Sequence, residues 1–322
     1  MLADTESLIR RGQAASARVW PTGFDPLDVY LSGGLRAGEL TLLGGPQGLG
    51  KTTFALQVAR NVAAGGGDVV YFSFEHDPET MLERLLAIEA AECLGGDGMT
   101  LRQIREALER KEAEPAGLAG RLRMLPGGPE AVAGIEAFAH RIHLHTSNGR
   151  STTTDAISEW VLDMRQSGSR PVVIVDYLQK VPDTRGSDLE EERVARVVAG
   201  LKDLALTVES PVFAIAASEP EGITGGKRMR IQHLRGTSAL AYEADVVLIV
   251  NDKYDVVARH HLVYNTTNSA RFRDYVVVSI EKNRSGLDRI DIEFRKRFEQ
   301  GRFERVGRPV AEQLVDERVY VE

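Results

Sequence analysis

Short apolar runs alternate with longer amphipathic stretches along most of the chain. The runs are rich in valine and isoleucine and lack regular polar positions, which is typical of strands buried on both faces of a sheet. They cover residues 40–45, 68–74, 141–146, 171–178, 211–217, 244–251 and 275–282. Because helical patterns separate several of them, the sequence predicts an α/β fold with a mostly parallel, twisted sheet flanked by helices.

Other regions depart from this alternation. Residues 1–21 are polar with a weak apolar stripe, and we interpret them as an N-terminal arm or linker before a single domain over residues 22–322. A stretch from about residue 95 to 135 is rich in glycine and charge around a helical centre, which predicts a helical insertion or a mobile segment. Residues 290–296 and 301–306 alternate apolar and polar positions, as an antiparallel edge hairpin does.

The composition is that of an ordinary globular protein: of 322 residues, 43% are hydrophobic and 27% are charged. Cys93 is the only cysteine, so no internal disulfide can form and a reducing compartment is expected. No apolar run reaches the roughly 18 residues that span a bilayer, and we expect a cytoplasmic protein without membrane contact. The net charge of −7 argues against a surface coated with phosphate-binding charge, but it leaves room for a local basic loop.

The first chemical motif directly follows the first apolar run. Its residues are Gly45, Pro46, Gln47, Gly48, Leu49, Gly50, Lys51 and Thr52, which match G-x-x-x-x-G-K-[ST]. A strand before such a loop and a helix after it are the context in which backbone N–H groups wrap phosphates. In that setting Lys51 contacts the β- and γ-phosphates and Thr52 holds magnesium, and we assign Thr53 to the same nucleotide-binding set. The sequence therefore predicts ATP and Mg²⁺ as cofactors.

Acidic residues end two other predicted strands. Asp176 closes a wholly apolar run, where a buried sheet opens into a ligand crevice, and its carboxylate is predicted to support the magnesium. The alternative is an aspartate that starts a turn. Glu75 ends the strand after the phosphate loop, and we interpret it as the base that polarises the water attacking the γ-phosphate. The alternative is a cap on the next helix, for which Asp77 is the better residue.

These motifs, in this order and spacing, resemble the RecA-like motor domain of DnaB-family replicative helicases. The resemblance runs from about residue 22 to 305 and includes TGFDPLDVYLSGGLRAGELTLLGGPQGLGKTTFALQVA, FSFEHD, IVDYLQ, HLRGTSALAYEADVVLIVND and SIEKNRSG. It implies a RecA-like P-loop NTPase that assembles into a ring, usually a hexamer, with ATP held between neighbouring subunits. It also implies action on single-stranded nucleic acid.

The resemblance gives Lys282 and Arg284 a role in trans, because a Lys-x-Arg pair in that family reaches the phosphates of the neighbouring subunit. The residues themselves fit this role, since positions i and i+2 of a strand project from one face and present both cations together. An arginine from an adjacent protomer stabilises charge on the transferring phosphoryl group. The alternative is a solvated basic edge paired with Glu281 or Asp288.

Two departures from the family pattern limit what it implies. The family carries an N-terminal helical domain that works with primase, whereas only about twenty residues precede the match here, so we expect an arm in its place. The family also has a glutamine that senses the γ-phosphate at the end of the strand after the Asp176 strand. Ala217 stands at that position and offers no side-chain donor or acceptor. Ser218 or Glu219 is the candidate substitute after a small shift in register.

The segment 219–235 is the candidate nucleic-acid loop. A glycine pair, Gly225-Gly226, precedes Lys227, Arg228 and Arg230, which we interpret as a grip on a phosphate backbone, repeated once per subunit in a ring. The segment contains no aromatic residue for base stacking, and a solvated surface loop is the alternative.

We therefore expect an ATP-hydrolysing, ring-forming motor of the DnaB helicase type that acts on single-stranded DNA. Lys51, Glu75, Lys282 and Arg284 are its predicted catalytic residues. The alternative is a regulatory or recombination-type ATPase, similar to KaiC or RadA, which assembles with ATP without unwinding. The alanine at position 217 and the short arm favour this alternative. A scaffold that binds ATP and hydrolyses almost none is disfavoured by the presence of Glu75 and the Lys-x-Arg pair.

Overall fold

The computed structural model describes residues 2–10, 18–109, 117–183, 189–219, 227–236, 238–263 and 266–317. The strands are β1 (Val19–Trp20), β2 (Leu35–Arg36), β3 (Leu40–Gly44), β4 (Val69–Ser73), β5 (Ile142–Thr146), β6 (Val172–Asp176), β7 (Val212–Ile215), β8 (Val246–Asp252), β9 (Tyr275–Asn283), β10 (Ile290–Arg297), β11 (Arg302–Phe303) and β12 (Arg308–Pro309). The helices are α1 (Leu2–Arg10), α2 (Asp25–Tyr30), α3 (Lys51–Ala64), α4 (Pro78–Leu94), α5 (Leu101–Glu109), α6 (Gly117–Arg123), α7 (Gly128–Phe138), α8 (Thr154–Gln166), α9 (Glu190–Val208), α10 (Ser238–Glu243), α11 (Lys253–Val256), α12 (Arg259–Val263) and α13 (Thr266–Phe272). Every apolar run that predicted a strand forms one.

One large sheet organises the chain, in the order β11-β10-β9-β8-β3-β7-β6-β4-β5, with β12 paired to β10. The strands from β8 to β5 in this order are parallel. Strands β9, β10 and β11 add antiparallel pairs at one side. The predicted parallel sheet with a C-terminal antiparallel edge hairpin is therefore confirmed. Strands β1 and β2 form a separate antiparallel pair.

The parallel register brings the ends of several strands together. Ser73 of β4 lies beside Asp176 of β6, and Leu43 of β3 lies beside Ile215 of β7. We call this side of the sheet the carboxyl edge and the opposite side, where the parallel strands begin, the amino edge. In a parallel α/β sheet, ligands bind at the carboxyl edge.

Helices cover both faces of the sheet because each presents an apolar side to it. On one face, α2, α3 and α4 bury Leu27, Phe54 and Met81. On the other face, α8 and α9 bury Ile157 and Leu201. No helix formed by the described residues has both the length and the apolar character needed to cross a bilayer.

The predicted insertion forms a helical lobe between β4 and β5. Helices α5 and α7 pack on α4, and α6 packs on α5 and α7. Together they build a small apolar core, to which Ile104, Leu122 and Val132 contribute. The described residues of this segment are therefore packed helices. Residues 110–116 lie outside the described part of the chain.

A buried ion cluster holds the C-terminal strap, which we define as residues 308–317. Lys253 is fully buried after β8, and its ammonium lies between the carboxylates of Glu293 on β10 and Glu312 of the strap, the latter at 2.7 Å. The same ammonium lies 4.5 Å from the centre of the Phe272 ring. Backbone pairing of Val257 with Leu314 continues the attachment. Removing one member of such a cluster leaves the others buried without a counter-charge.

We expect Lys253→Met to lower the free energy of unfolding by about 3 to 5 kcal/mol, because Glu293 and Glu312 would lose the buried cation between them and Arg308 alone would remain beside Glu293. The measurement is the denaturant midpoint and slope by circular dichroism. The matched control is Lys227→Met, which removes a half-exposed lysine 3.5 Å from Glu317 and should cost less than about 1 kcal/mol. Equal shifts for both variants would show that burial of the Lys253 ammonium contributes nothing to stability.

Candidate nucleotide-binding site

The phosphate loop is a tight bend between β3 and α3. Gly50 precedes α3 in the left-handed region at φ 81°, where side chains other than glycine are strained. At Gly45 an added Cβ would lie 2.7 Å from the Val250 carbonyl oxygen, so β8 also requires glycine there. The first N–H groups of α3 have no acceptor within the helix and carry the positive end of its dipole. The bend therefore offers the environment that an anionic phosphate prefers.

Lys51 folds its side chain back over this bend. Its ammonium donates hydrogen bonds to the carbonyl oxygens of Gly45 at 2.7 Å and Pro46 at 2.9 Å. Burial lowers the pKa of Lys51, while the nearby carboxylates of Asp176 and Glu75 act to raise it. A triphosphate bound at the loop would add negative charge beside this ammonium and favour its protonated form.

The remaining predicted loop residues divide between the cavity and the core. Gln47 and Gly48 line the cavity that the loop borders, as do Thr52 and Thr53. Leu49 instead packs against the hydrophobic core beneath the loop.

Thr52 and Asp176 lie together at the carboxyl edge and form the candidate magnesium site. The Thr52 side chain lies close to the Asp176 carboxylate and acts to lower its pKa, and the Tyr71 hydroxyl donates a hydrogen bond to that carboxylate at 2.9 Å. Burial nevertheless raises the pKa of Asp176, and the nearby Glu75 raises it further. A divalent cation would offset this penalty, because it favours the ionised carboxylate.

The oxygen donors fit magnesium, which takes few protein ligands and completes its coordination with phosphate oxygens and water. Among the described residues no group of three or more histidine, cysteine, aspartate or glutamate side chains is placed to hold a metal by protein ligands alone. A cation at Thr52 and Asp176 would therefore bind together with the nucleotide.

Glu75 lies just beyond β4 and borders the same cavity. Its side chain is exposed, and its negative charge is close enough to raise the pKa values of both Lys51 and Asp176. The capping role falls to Asp77, whose carboxylate accepts a hydrogen bond from the Thr80 N–H at 2.7 Å at the start of α4. The structure thus brings Glu75, Lys51 and Asp176 around one space.

The cavity has a volume of about 540 Å³ and extends from the phosphate loop to the helical insertion. Its far wall is apolar, with Leu101 from α5 and Phe298 after β10. Arg84 of α4 also lines it and donates a hydrogen bond to the Thr53 hydroxyl at 3.1 Å. Burial lowers the pKa of Arg84. This arrangement suits a nucleotide with its phosphates at the loop and its base against the apolar wall.

Sequence reasoning missed Tyr71, Arg84 and Phe298. Tyr71 lies inside an apolar run, and a phenol there is indistinguishable from a packing residue until its strand is placed beside β6. Arg84 sits among other charged residues of α4, and only the packing of α4 on α3 turns it toward Thr53. Phe298 is separated from the phosphate loop by most of the chain. The available signal was a phenol hydroxyl inside an otherwise apolar stretch of the chain, which does not identify its partner.

Lys282 and Arg284 lie on the amino edge, away from the phosphate loop of their own chain. Lys282 ends β9 opposite Val247, in the first part of β8. Its ammonium donates hydrogen bonds to the carbonyl oxygens of Ala241 at 2.7 Å and Ala244 at 2.6 Å, at the end of α10. Burial and the nearby Arg284 lower the pKa of Lys282. The structure therefore does not bring this pair to the nucleotide cavity within one chain.

Arg284 is held less tightly than Lys282. Its guanidinium donates hydrogen bonds to the Tyr242 carbonyl oxygen at 2.6 Å and to Asp245 at 3.2 Å, yet 48% of its side chain is exposed. Asp245 also binds Lys202 at 2.7 Å. The alternative pairing with Glu281 or Asp288 is not the arrangement found, because Glu281 pairs with Arg230.

The basic residues of the candidate nucleic-acid loop lie close to acidic residues. Arg228 is buried, where it donates hydrogen bonds to Ser279 at 3.0 Å and to the Asp291 carboxylate. Arg230 pairs with Glu281 at 2.8 Å and with Asp316 of the C-terminal strap at 2.6 Å. Lys227 forms a backbone bridge with Glu317 of the strap.

The expectation that these cations form a free phosphate grip is therefore corrected for Arg228. Its guanidinium joins the loop to β9 and β10, and burial keeps it from a nucleic-acid backbone. Lys227 and Arg230 keep exposed portions, but both are already paired with carboxylates. Gly225 and Gly226 lie outside the described residues.

Ala217 lies at the carboxyl edge and lines the cavity, at the place that the motif order predicts for it. Of its two candidate substitutes, Ser218 also lines the cavity. The Glu219 carboxylate instead accepts a hydrogen bond from the Gly236 N–H at 3.2 Å.

The fold and the loop define the class of protein as a P-loop nucleotide-binding domain of the RecA-like type. The chain matches the DnaB-like helicase C terminal domain family over residues 20–304 and belongs to that family. It is 26% identical over 281 residues to the replicative DNA helicase DnaB of Haemophilus influenzae, covering 86% of this chain and 53% of that protein. It is 23% identical over 239 residues to a probable plasmid replicative DNA helicase of Chlamydia psittaci, covering 72% of this chain and 46% of that protein. The chain thus spans about half the length of these relatives.

Solved structures give the same fold. A DnaB-like replicative helicase, whose structure was described with its interactions with primase, superposes with a TM-score of 0.71 at 20% identity, covering 94% of this chain and 65% of that one. The RadB recombinase superposes with a TM-score of 0.51 at 19% identity, covering 88% of this chain and 98% of that one. At these identities the likeness establishes the fold, and the predicted RecA-like fold class is confirmed.

We expect Tyr71→Phe to weaken magnesium use. The Tyr71 hydrogen bond lowers the pKa of Asp176, so its loss raises that pKa further and lets protons compete with the cation. A lost hydrogen bond of about 0.5 to 1.5 kcal/mol predicts a roughly 2- to 12-fold rise in the magnesium concentration for half-maximal ATP turnover. The rise should grow as pH falls. Tyr30→Phe, outside the cavity, is the control, and an unchanged magnesium dependence for Tyr71→Phe would contradict the assignment.

Proposed function

We propose that this chain is an ATP-hydrolysing motor domain that works in a ring on single-stranded DNA, as a helicase of the DnaB type. The observation that carries the proposal is the meeting of Lys51, Thr52, Asp176 and Glu75 around one cavity at the carboxyl edge. These residues come from three different strands and their following segments, and only the parallel register brings them together. Membership of the DnaB-like helicase C terminal domain family supports the same conclusion.

Each residue has a distinct part in the proposed hydrolysis. Magnesium bound with the nucleotide neutralises phosphate charge, and Thr52 and Asp176 would hold it. Lys51 exchanges its hydrogen bonds with loop carbonyls for the β- and γ-phosphate oxygens. Glu75 orients a water beside the γ-phosphate and accepts its proton as the new P–O bond forms, while the bond from the γ-phosphorus to the β–γ bridging oxygen breaks and ADP leaves with those electrons. Because the Glu75 side chain is exposed, it can pass this proton on to solvent water.

Lys282 and Arg284 complete this site from a neighbouring subunit in our proposal. They lie on the amino edge, so they do not serve the phosphates of their own chain, and the exposed portion of Arg284 can meet another surface. A head-to-tail contact that places the amino edge of one copy on the carboxyl edge of the next generates a ring when the rotation between neighbouring copies closes on itself. We propose that this ring is a hexamer.

The nucleic-acid partner follows from the relatives, whose names describe replicative DNA helicases. We propose single-stranded DNA in the ring channel as that partner and the cytoplasm as the compartment, which agrees with a lone cysteine. The recombination-type alternative keeps one supporting observation, namely Ala217 in place of a sensor glutamine. Strong stimulation of ATP turnover by single strands supports the motor, and indifference supports the alternative.

We expect Glu75→Gln to lower ATP turnover by about 100-fold or more while ATP binding is retained, because a neutral amide cannot accept the proton. Phosphate release measures turnover, and equilibrium titration with a fluorescent ATP analogue measures binding. Glu79→Gln, which removes an exposed acid in the first turn of α4, is the matched control and should keep wild-type turnover. Unchanged turnover in Glu75→Gln would exclude Glu75 as the base.

The trans role of Arg284 is tested by mixing two inactive variants. Lys51→Ala lacks a functional loop and Arg284→Ala lacks the cation, so each alone should be inactive. When equal amounts are assembled together, about a quarter of the interfaces combine an intact loop with an intact arginine, and activity should return in that proportion. Arg150→Ala, an exposed arginine elsewhere, should remain active alone. A mixture as inactive as its parts would contradict the trans assignment.

A further inference from the structure

Gln179 is a buried polar side chain between the cation site and the candidate nucleic-acid loop. It lies in the short turn at residues 178–180 that follows β6, three residues after Asp176, and only 5% of it is exposed. Its Oε1 accepts a hydrogen bond from the Ala217 N–H at 2.9 Å, and its Nε2 donates one to the Arg235 carbonyl oxygen at 2.8 Å. The two backbone partners fix which end of the amide is donor and which is acceptor.

The two ends of the loop 219–235 are joined at the point where Gln179 binds them. The Arg235 N–H donates a hydrogen bond to the Ala217 carbonyl oxygen at 2.8 Å. Ser218 and Leu234 form an antiparallel bridge, and the Glu219 N–H donates to the His233 carbonyl oxygen at 2.9 Å. We call residues 217–219 together with 233–236 the loop root.

The loop root and the cation site border the same cavity. Ala217, Ser218 and Arg235 line it from the loop root, and Asp176 lines it from β6. The Arg235 guanidinium also binds Glu190 in the first turn of α9, at 2.7 Å. Among the described residues, the Gln179 amide is the side chain that joins the turn after Asp176 to both strands of the loop root.

The Gln179 amide matters because position 217 is an alanine. A methyl side chain cannot form a hydrogen bond to a γ-phosphate, so the end of β7 has no side-chain route to the nucleotide at that position. A shift of the β6 turn on cation and phosphate binding would instead move Ala217 and Arg235 together, because one buried side chain holds both. Breaking either bond would leave a buried polar group without a partner, which keeps the connection intact.

We propose that Gln179 is the positioning residue that couples the nucleotide bound at Lys51 and Asp176 to the position of the loop root. The proposal rests on the motor function proposed above and specifies how that site communicates with its nucleic-acid partner. Gln179 acts through the backbone of Ala217 and Arg235 and does not touch the phosphates. By linkage, if the nucleotide state shifts the loop root and thereby changes the affinity for single-stranded DNA, the DNA changes nucleotide affinity by the same factor.

The test compares oligothymidylate affinity in two nucleotide states. Fluorescence anisotropy gives the dissociation constant of a labelled oligothymidylate for the assembled protein in saturating Mg-ADP and in saturating non-hydrolysable Mg-ATP analogue. We expect the two constants to differ by about 5-fold or more in the wild type. In Gln179→Met, which removes both hydrogen bonds, the ratio should fall to about 1, while nucleotide affinity changes by less than about 3-fold.

Gln57→Met is the matched control. Gln57 is also fully buried and bridges backbone atoms, since its amide binds both the N–H and the carbonyl oxygen of Phe303 at 3.0 and 2.9 Å. It should lower the melting temperature as Gln179→Met does but keep the wild-type affinity ratio. Gln179→Glu has nearly the same shape as the wild-type side chain, but its carboxylate keeps the acceptor and loses the donor. We expect the ratio of the two dissociation constants to fall to about 1 in this variant as well.

The outcomes separate the two proposals. A wild-type ratio retained in both Gln179 variants would overturn the role of Gln179 and leave the motor function standing. A ratio lost equally in Gln57→Met would also overturn it, because general destabilisation would then account for the effect. A wild type that binds no oligothymidylate in either state would remove the motor function, and the coupling role would fall with it.

Discussion

The carboxylate of Asp176 is buried, and burial disfavours its ionised form. The site depends on the groups that offset this cost of desolvation. The hydrogen bond from Tyr71 and the nearby Thr52 side chain offset part of this penalty. The remainder makes the site receptive to a cation, because a divalent ion next to the carboxylate favours the ionised form. A cation and a nucleotide would thus bind the carboxyl edge as one unit, because β7 lies between β3, which leads into the phosphate loop, and β6, which carries the carboxylate.

The sheet also separates the chemical groups of the chain between two edges. The loop, the acids and the cavity occupy the carboxyl edge, whereas Lys282 and Arg284 are held at the amino edge by carbonyl oxygens at the end of α10 and by Asp245. A rigid sheet does not let its two edges meet within one molecule. The same rigidity makes a head-to-tail assembly the simple way to unite them, and it links the proposed catalysis to the proposed ring.

Charge pairing gives the C-terminal strap a second role beside packing. Asp316 and Glu317 pair with Arg230 and Lys227, so the base of the candidate nucleic-acid loop is neutralised from within the chain. Lys253 holds the other part of the strap through Glu312. The segment 219–235 is therefore held at two places, by the strap at Lys227 and Arg230 and by the Gln179 amide at the loop root.

The sequence by itself determined the parallel sheet, the phosphate loop and the two strand-end acids, because these depend on local patterns: continuous apolar runs, a glycine-rich bend and a polar residue where a run stops. The tertiary structure alone decided the partners of side chains far apart in sequence. It turned Arg228 inward to Asp291, gave Tyr71 its place beside Asp176, and set Gln179 across two strands. The physical reason is that a charge or an amide has no preferred partner until packing decides which groups are buried beside it.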